Sequence, residues 1–195
     1  QVMVYLIDHP LFADRPGVYG PPGNPGEGYP DNALRFALLS QAAICLAKEL
    51  TPRPDVIHAH DWQAGLAVYY AQKADWDTPP ATVFTVHNLM FQGLFSLAEA
   101  RHLGVRDDLL TPDGIEFYGQ ASFIKAGLQL ADRLTTVSPR YAEEIATPEF
   151  GYGLDGVMRA RSGRLSGILN GVDYDRWSPW SDGALPARFG KPAAE

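Results

Sequence analysis

Short apolar blocks alternate with polar stretches along this chain, and their period switches repeatedly between that of a strand and that of a helix. The run Val2-Met3-Val4-Tyr5-Leu6-Ile7 is rich in β-branched and aromatic residues and predicts a buried strand. From residue 8 to residue 30 glycine and proline dominate, as in Arg15-Pro16-Gly17-Val18-Tyr19-Gly20-Pro21-Pro22-Gly23, which predicts a long irregular loop. Asp31 and Asn32 can cap the following segment, where Leu34, Ala37, Leu38, Gln41, Ala42 and Cys45 recur at helical spacing. Thr51-Pro52-Arg53-Pro54 stops that helix. A strand follows over residues 55–59, then a helix over 62–76 with Leu66, Tyr69, Tyr70 and Lys73 at its turns, then a strand over 82–86. A mixed segment runs to Glu116, with Ser96 opening a short helix over 97–102. Further elements are a helix over 120–131, a strand over 133–137, and a helix to Ile145 begun by Ser138 as cap and Pro139 in its first turn. A short helix over 157–161 and a strand over 165–169 complete the series. Strands alternating with helices predict an α/β fold: a Rossmann-like parallel sheet with helices on both faces and right-handed crossovers.

Two of these strands end in chemistry. One reads Asp55-Val56-Ile57-His58-Ala59-His60-Asp61-Trp62, the other Thr82-Val83-Phe84-Thr85-Val86-His87-Asn88 with Leu89-Met90-Phe91-Gln92-Gly93 behind it. Open parallel sheets bind ligands at the carboxyl ends of their strands, so the two junctions predict one site built from neighbouring loops. His58 and His60 project to one face of their strand. As a zinc pair they lack the remaining ligands of His-x-His-x-Asp-His, because Trp62 and Gln63 stand at those positions. The alternatives are a hydrogen-bonded core histidine at 58 and a metal-dependent hydrolase using His58, His60 and His87. Asp61 serves equally as a helix cap or as a carboxylate that holds a polar ligand. No G-x-G-x-x-G follows a strand, and no phosphate loop or nucleophile elbow is present. Tyr19, Trp62 and Phe91 beside His, Asp, Asn and Gln suit a sugar, whose apolar face stacks on a ring while its hydroxyls meet the polar groups.

Composition narrows the classes. The chain has 195 residues, 46% hydrophobic and 20% charged, the balance of a globular domain. No apolar run approaches the roughly 20 residues of a membrane span. A net charge of −7 argues against a nucleic-acid partner. The single cysteine, Cys45, fits a reducing compartment and a buried structural thiol. Gln1 at the start and Lys191-Pro192-Ala193-Ala194-Glu195 at the end are expected to be cuts through a longer protein.

His58-Ala59-His60-Asp61-Trp62, Phe84-Thr85-Val86-His87-Asn88 with Gln92-Gly93, Thr136-Val137-Ser138-Pro139 and Leu169-Asn170-Gly171-Val172-Asp173 together resemble bacterial glycogen synthase and plant starch synthase in order and spacing. Tyr29-Pro30-Asp31-Asn32, Glu116-Phe117-Tyr118-Gly119-Gln120 and Tyr152-Gly153-Leu154-Asp155-Gly156 fit as well. The resemblance implies the N-terminal half of a two-domain GT-B glycosyltransferase, retaining, cytoplasmic, with no metal and no cofactor. It implies transfer of glucose from ADP-glucose to the non-reducing end of an α-1,4-glucan. By the same resemblance His87 and Asp61 are the catalytic candidates, and Tyr19, Trp62, Asn88, Gln92 and Asn170 line the sugar side. Residues 1–178 are then the Rossmann-like domain without its first strand, and 179–195 the start of a linker. A Lys-x-Gly-Gly-Leu loop before Gln1 and a required C-terminal domain after Glu195 are expected, so the chain alone is expected to be inactive. Phe91 stands where bacterial members often have Tyr, and Gln63 where His is frequent. A sucrose- or trehalose-synthase-like enzyme and a non-catalytic glucan-binding module are the other readings.

Overall fold

The computed structural model describes residues 2–13, 15–23 and 28–190. Gln1, the tail 191–195 and part of the Gly/Pro loop lie outside the described residues. Four parallel strands, β1 (Val56–His60), β2 (Ala81–Val86), β6 (Arg133–Thr136) and β7 (Leu165–Gly167), form a sheet in the order β1-β2-β6-β7. Helices α1 (Asn32–Glu49), α2 (Gly65–Lys73), α4 (Phe123–Leu130), α5 (Pro139–Glu144) and α6 (Asp155–Ala160) alternate with them. The alternation in the sequence therefore produces the parallel α/β sheet it predicts.

The core lies between this sheet and α2, α4 and α6, around Ala59, Leu66, Val68, Phe84, Val86, Leu128, Leu134 and Met158. Strand β2 is the central element, with Thr82, Phe84 and Val86 buried. Helix α4 lies directly on it: a side chain at Gly127 would run into the Phe84 ring. Strand order advances in one direction along the chain, from β1 to β7. On the other face of β1, Val56, His58 and His60 are exposed among the described residues.

Three sequence expectations are corrected. Residues 2–7 form no strand, and Val2, Met3, Val4 and Leu6 are exposed. A β-prone run becomes a strand only with a partner ladder, and no described strand pairs with it. The buried stripe of α1 is Ala33, Phe36, Ala37, Ser40, Ile44 and Ala47, not Leu34, Leu38, Gln41 and Cys45. Its smaller residues turn inward toward α2, which leaves Cys45 exposed along an open groove of about 520 Å³. Residues 120–122 are not helical. They form β5 (Gln120–Ser122), the centre of a small antiparallel sheet with β3 (Leu94–Ser96) and β4 (Glu116–Phe117).

The caps also differ in detail. Ser96 and Glu99 form a reciprocal capping box at α3 (Leu97–His102), and Ser138 caps α5 with Pro139 next. Asp31 sits at the start of α1 without capping it. Its carboxylate instead takes the Arg15 guanidinium at 2.8 and 2.5 Å. Arg15 holds that carboxyl below its ordinary range by this hydrogen bond. Arg35 is buried, and its guanidinium donates to the carbonyls of Leu11 and Val18 and to Asn32 Oδ1. The described parts of the Gly/Pro loop are thereby fastened to α1.

Candidate functional site

The carboxyl ends of β1 and β2 meet through one side chain. Asp61 follows β1 with φ 53° and ψ −176°, a backbone state that an L residue adopts only when its surroundings enforce it. Its N–H donates to Thr85 O at 2.9 Å, carrying the ladder one residue past the strand. Its side chain makes no cap bond; Oδ1 accepts the His87 N–H at 2.8 Å. The two loops that the sequence picks out are thus joined at their first residues.

Behind this junction runs a row of polar side chains. His60 Nδ1 lies 3.1 Å from His87 Nε2, so one imidazole donates its proton to the other. His58 Nε2 lies 2.6 Å from Thr85 Oγ1, which is 2.5 Å from Thr135 Oγ1. Partial burial pushes the His58 imidazole down, with the nearby His87 adding to it. His60 is pushed down by burial and by His58 and His87, against a smaller opposing pull from Asp61. Among the described residues no group of three or more His, Cys, Asp or Glu side chains is arranged to hold a metal ion. The His58/His60/His87 hydrolase is therefore not favoured: two facing ring nitrogens are spent on each other rather than turned toward a common centre.

Trp62 is half-buried in an aromatic cluster, edge-on to Phe36 at 4.7 Å and near Tyr19 and Phe95. Gly93, at φ 60°, is required beneath it, since a Cβ there would lie 2.7 Å from Trp62 Cδ2. Tyr19 is half-exposed, and its hydroxyl accepts from Gln63 Nε2 at 2.8 Å, which brings the Gly/Pro loop to the same edge. Asn88 is exposed; its Oδ1 accepts the Met90 N–H at 3.0 Å, forming a tight turn. Gln92 is buried, donates to Tyr152 O at 2.9 Å, and leaves Oε1 without a partner among the described residues. Asn170 is exposed after β7, and none of the described hydrogen bonds joins it to the others.

The structure thus links Asp61 with His87 and Tyr19 with Trp62 at one sheet edge, with Asn88 and Gln92 in the loop after His87, and no described hydrogen bond joins Asn170 to them. It also adds residues that the sequence did not single out. Tyr141 accepts the Leu89 N–H at 3.0 Å, and burial pushes its phenol up. Gln63 anchors Tyr19, and the Tyr152 carbonyl anchors Gln92. Only the Ser138-x-x-Tyr141 start of α5 gives a local signal for Tyr141; the other links join distant segments.

An open parallel α/β domain with a polar and aromatic site at its strand carboxyl ends is the class that this arrangement defines. The family model described as the starch synthase catalytic domain matches residues 1–160. A glycogen synthase of Albidiferax ferrireducens is 49% identical over 195 residues, covering 97% of this chain and 39% of that protein. A glycogen synthase of Rhodopseudomonas palustris is 51% identical, covering 93% of this chain and 39% of its own length. Among solved structures, the catalytic domain of starch synthase IV from Arabidopsis thaliana, bound to ADP and acarbose, superimposes with a TM-score of 0.69 at 34% identity. The match covers 84% of this chain and 34% of that one. The chain belongs to the starch synthase catalytic domain family. It spans about two fifths of the length of these glycogen synthases.

Proposed function

We propose that this chain is the N-terminal, acceptor-side part of a retaining glucosyltransferase of the GT-B kind, which moves glucose from ADP-glucose to the non-reducing end of an α-1,4-glucan. In that reaction the bond from glucose C1 to the diphosphate oxygen breaks and a bond from C1 to the acceptor O4 forms. The acceptor hydroxyl proton leaves with the diphosphate. Positive charge builds on the sugar ring between these events, and fixed dipoles aimed at it lower the barrier.

The observation that carries the reading is the Asp61 Oδ1 to His87 N–H bond. It ties the Asp61 carboxylate to the His87 backbone at the mouth of the two strands. Asp61 Oδ2 has no hydrogen-bond partner among the described residues, which leaves it for a sugar hydroxyl or for the developing charge. His87 orients the transferred glucose and presents its carbonyl or ring dipole toward C1. Tyr19, Trp62, Asn88 and Gln92 bound the sugar, with Asn170 after β7 as a further lining residue. The diphosphate is held by a C-terminal domain of the same protein, and residues 1–178 are the Rossmann-like domain followed by a linker. One cysteine in the sequence fits a cytoplasmic setting.

The test is glucose incorporation into glycogen from labelled ADP-glucose. The 195-residue chain alone is expected to incorporate none. The same chain fused to the remaining length of the Rhodopseudomonas palustris relative is expected to incorporate label. Incorporation by the chain alone, or none by a folded fusion, contradicts the proposal.

A further inference from the structure

Helix α1 carries a second seam besides the one it buries. Its inward stripe is Ala33, Phe36, Ala37, Ser40, Ile44 and Ala47. Leu34, Leu38, Gln41, Cys45 and Lys48 stand on another side, at steps of four, three, four and three residues. Those are the alternating steps of a heptad seam, by which one helix packs along another. The seam runs nearly the whole length of this 18-residue helix. Leu34 is 48% exposed, Gln41 and Cys45 are exposed, and Leu38 and Lys48 are half-buried.

The seam forms one wall of the open groove of about 520 Å³, and Tyr70, Lys73 and Leu103 stand on the facing wall. A pocket of about 320 Å³ adjoins it at the amino end of α1, sharing Leu34, His102 and Leu103. The charged lining residues divide between the two. Asp31 and Glu99 line the pocket at the amino end. The groove has no acidic lining residue, and Lys48 closes it at the carboxyl end of α1 with Lys73 on the facing wall. Asp31 is already engaged with Arg15, whereas Glu99 uses only Oε2 in its cap among the described hydrogen bonds, which leaves Oε1 for an incoming cation.

An apolar groove with an acidic end and a basic end fits a helix that has an apolar seam and the same charges in reverse order. Helix α1 is itself such a helix. Turned antiparallel about a two-fold axis at Gln41, it sets Leu38 against the partner's Cys45 and Leu34 against the partner's Lys48. The partner's Lys48 then reaches the Glu99 end, and the symmetry makes this contact twice. Gln41 meets the partner's Gln41 on the axis, where each carboxamide offers the other a donor and an acceptor. A single polar residue in an apolar seam fixes its register. The charge of −7 on each chain opposes the approach, but physiological salt screens it beyond about 8 Å. We propose that two copies of this chain pair through this face, α1 against α1, antiparallel.

Sedimentation equilibrium of the 195-residue chain in reducing buffer tests the pairing. The contact is at the small end of specific interfaces, so a dissociation constant on the order of 10 µM is expected. Gln41→Glu sets two carboxylates face to face on the axis and should raise it about tenfold or more. Lys48→Glu should raise it about threefold to tenfold, and Lys48→Arg should leave it near wild type. These side chains lie outside the buried stripe of α1, so thermal unfolding should be unchanged. Under mild oxidation Gln41→Cys combined with Cys45→Ser should form a covalent dimer, and Arg140→Cys combined with Cys45→Ser should not. A chain that stays monomeric well above the expected constant, a dimer indifferent to Gln41→Glu, or equal cross-linking of the two cysteine variants would overturn the proposal. So would a dimer that is lost in the fused, two-domain protein, since another part of the longer protein would then fill the groove.

Discussion

Asp61 shows how one residue can be legible while its partner is not. Its position after a strand and before a helix marks it as a cap, yet its side chain turns back to the His87 N–H, because φ 53° redirects it away from the helix. The dihedral is invisible in a sequence. The same holds for the histidines. His58 and His60 share a strand face by simple alternation, but the His60 to His87 bond needs β1 and β2 in register, His60 opposite Thr85. That bond predicts a single His87 tautomer. In ¹⁵N spectra His60→Ala should shift the His87 ring nitrogens toward the average of both tautomers, and His60→Asn, which can replace the Nδ1 contact, should restore them. Unmoved His87 nitrogens in His60→Ala would contradict the bond. A pH dependence follows as well. His58 and His60 both titrate below the ordinary imidazole value of 6.5, so the unfolded chain binds protons that the folded chain refuses. Their contribution is fully present above about pH 6.5 and is lost as pH falls below it. The urea midpoint should therefore drop between pH 7 and pH 5, and less steeply in His58→Gln. An equal slope in that variant would remove His58 from the account.

At the scale of elements, helices and parallel strands followed from periodicity because each buries its own apolar face. The exceptions are elements that depend on distant partners. Residues 2–7 have strand composition and no ladder, and β5 was hidden inside an apparent helix because Tyr118-Gly119 is not the Asn-Gly signal of a two-residue hairpin. Two elements are held by single residues whose loss is measurable. Gly127 lets α4 touch Phe84, so Gly127→Ala should cost about 1 to 3 kcal/mol by overpacking, although alanine favours an isolated helix by about 1 kcal/mol over glycine. Chemical denaturation gives the sign directly. Arg35 fastens Leu11 and Val18 to α1, and Arg35→Ala should cost about 3 kcal/mol and quicken amide exchange over residues 11–19, taking Tyr19 off the site. Lysine should not rescue it, because one ammonium cannot reproduce the planar fork. Unchanged exchange in that loop would show that other contacts hold it.

On the scale of the whole molecule, the acidic charge and the absence of phosphate loops narrowed the partner classes, and the spacing of several short motifs pointed to the family that the comparisons bear out. The site's inner links, among them Gln92 to Tyr152 and Tyr141 to Leu89, were not legible, since they join segments fifty or more residues apart. The chain spans 39% of the length of the glycogen synthases it matches. The central claim is that His87 and Asp61 act on a glucosyl unit donated from ADP-glucose. It is tested most directly by labelled glucose transfer to glycogen in the fused, two-domain protein, wild type against His87→Ala, with both confirmed folded. Transfer by the wild type and a fall of about 100-fold or more in His87→Ala is the predicted result. No transfer by the wild type, or equal transfer by the two proteins, would contradict it.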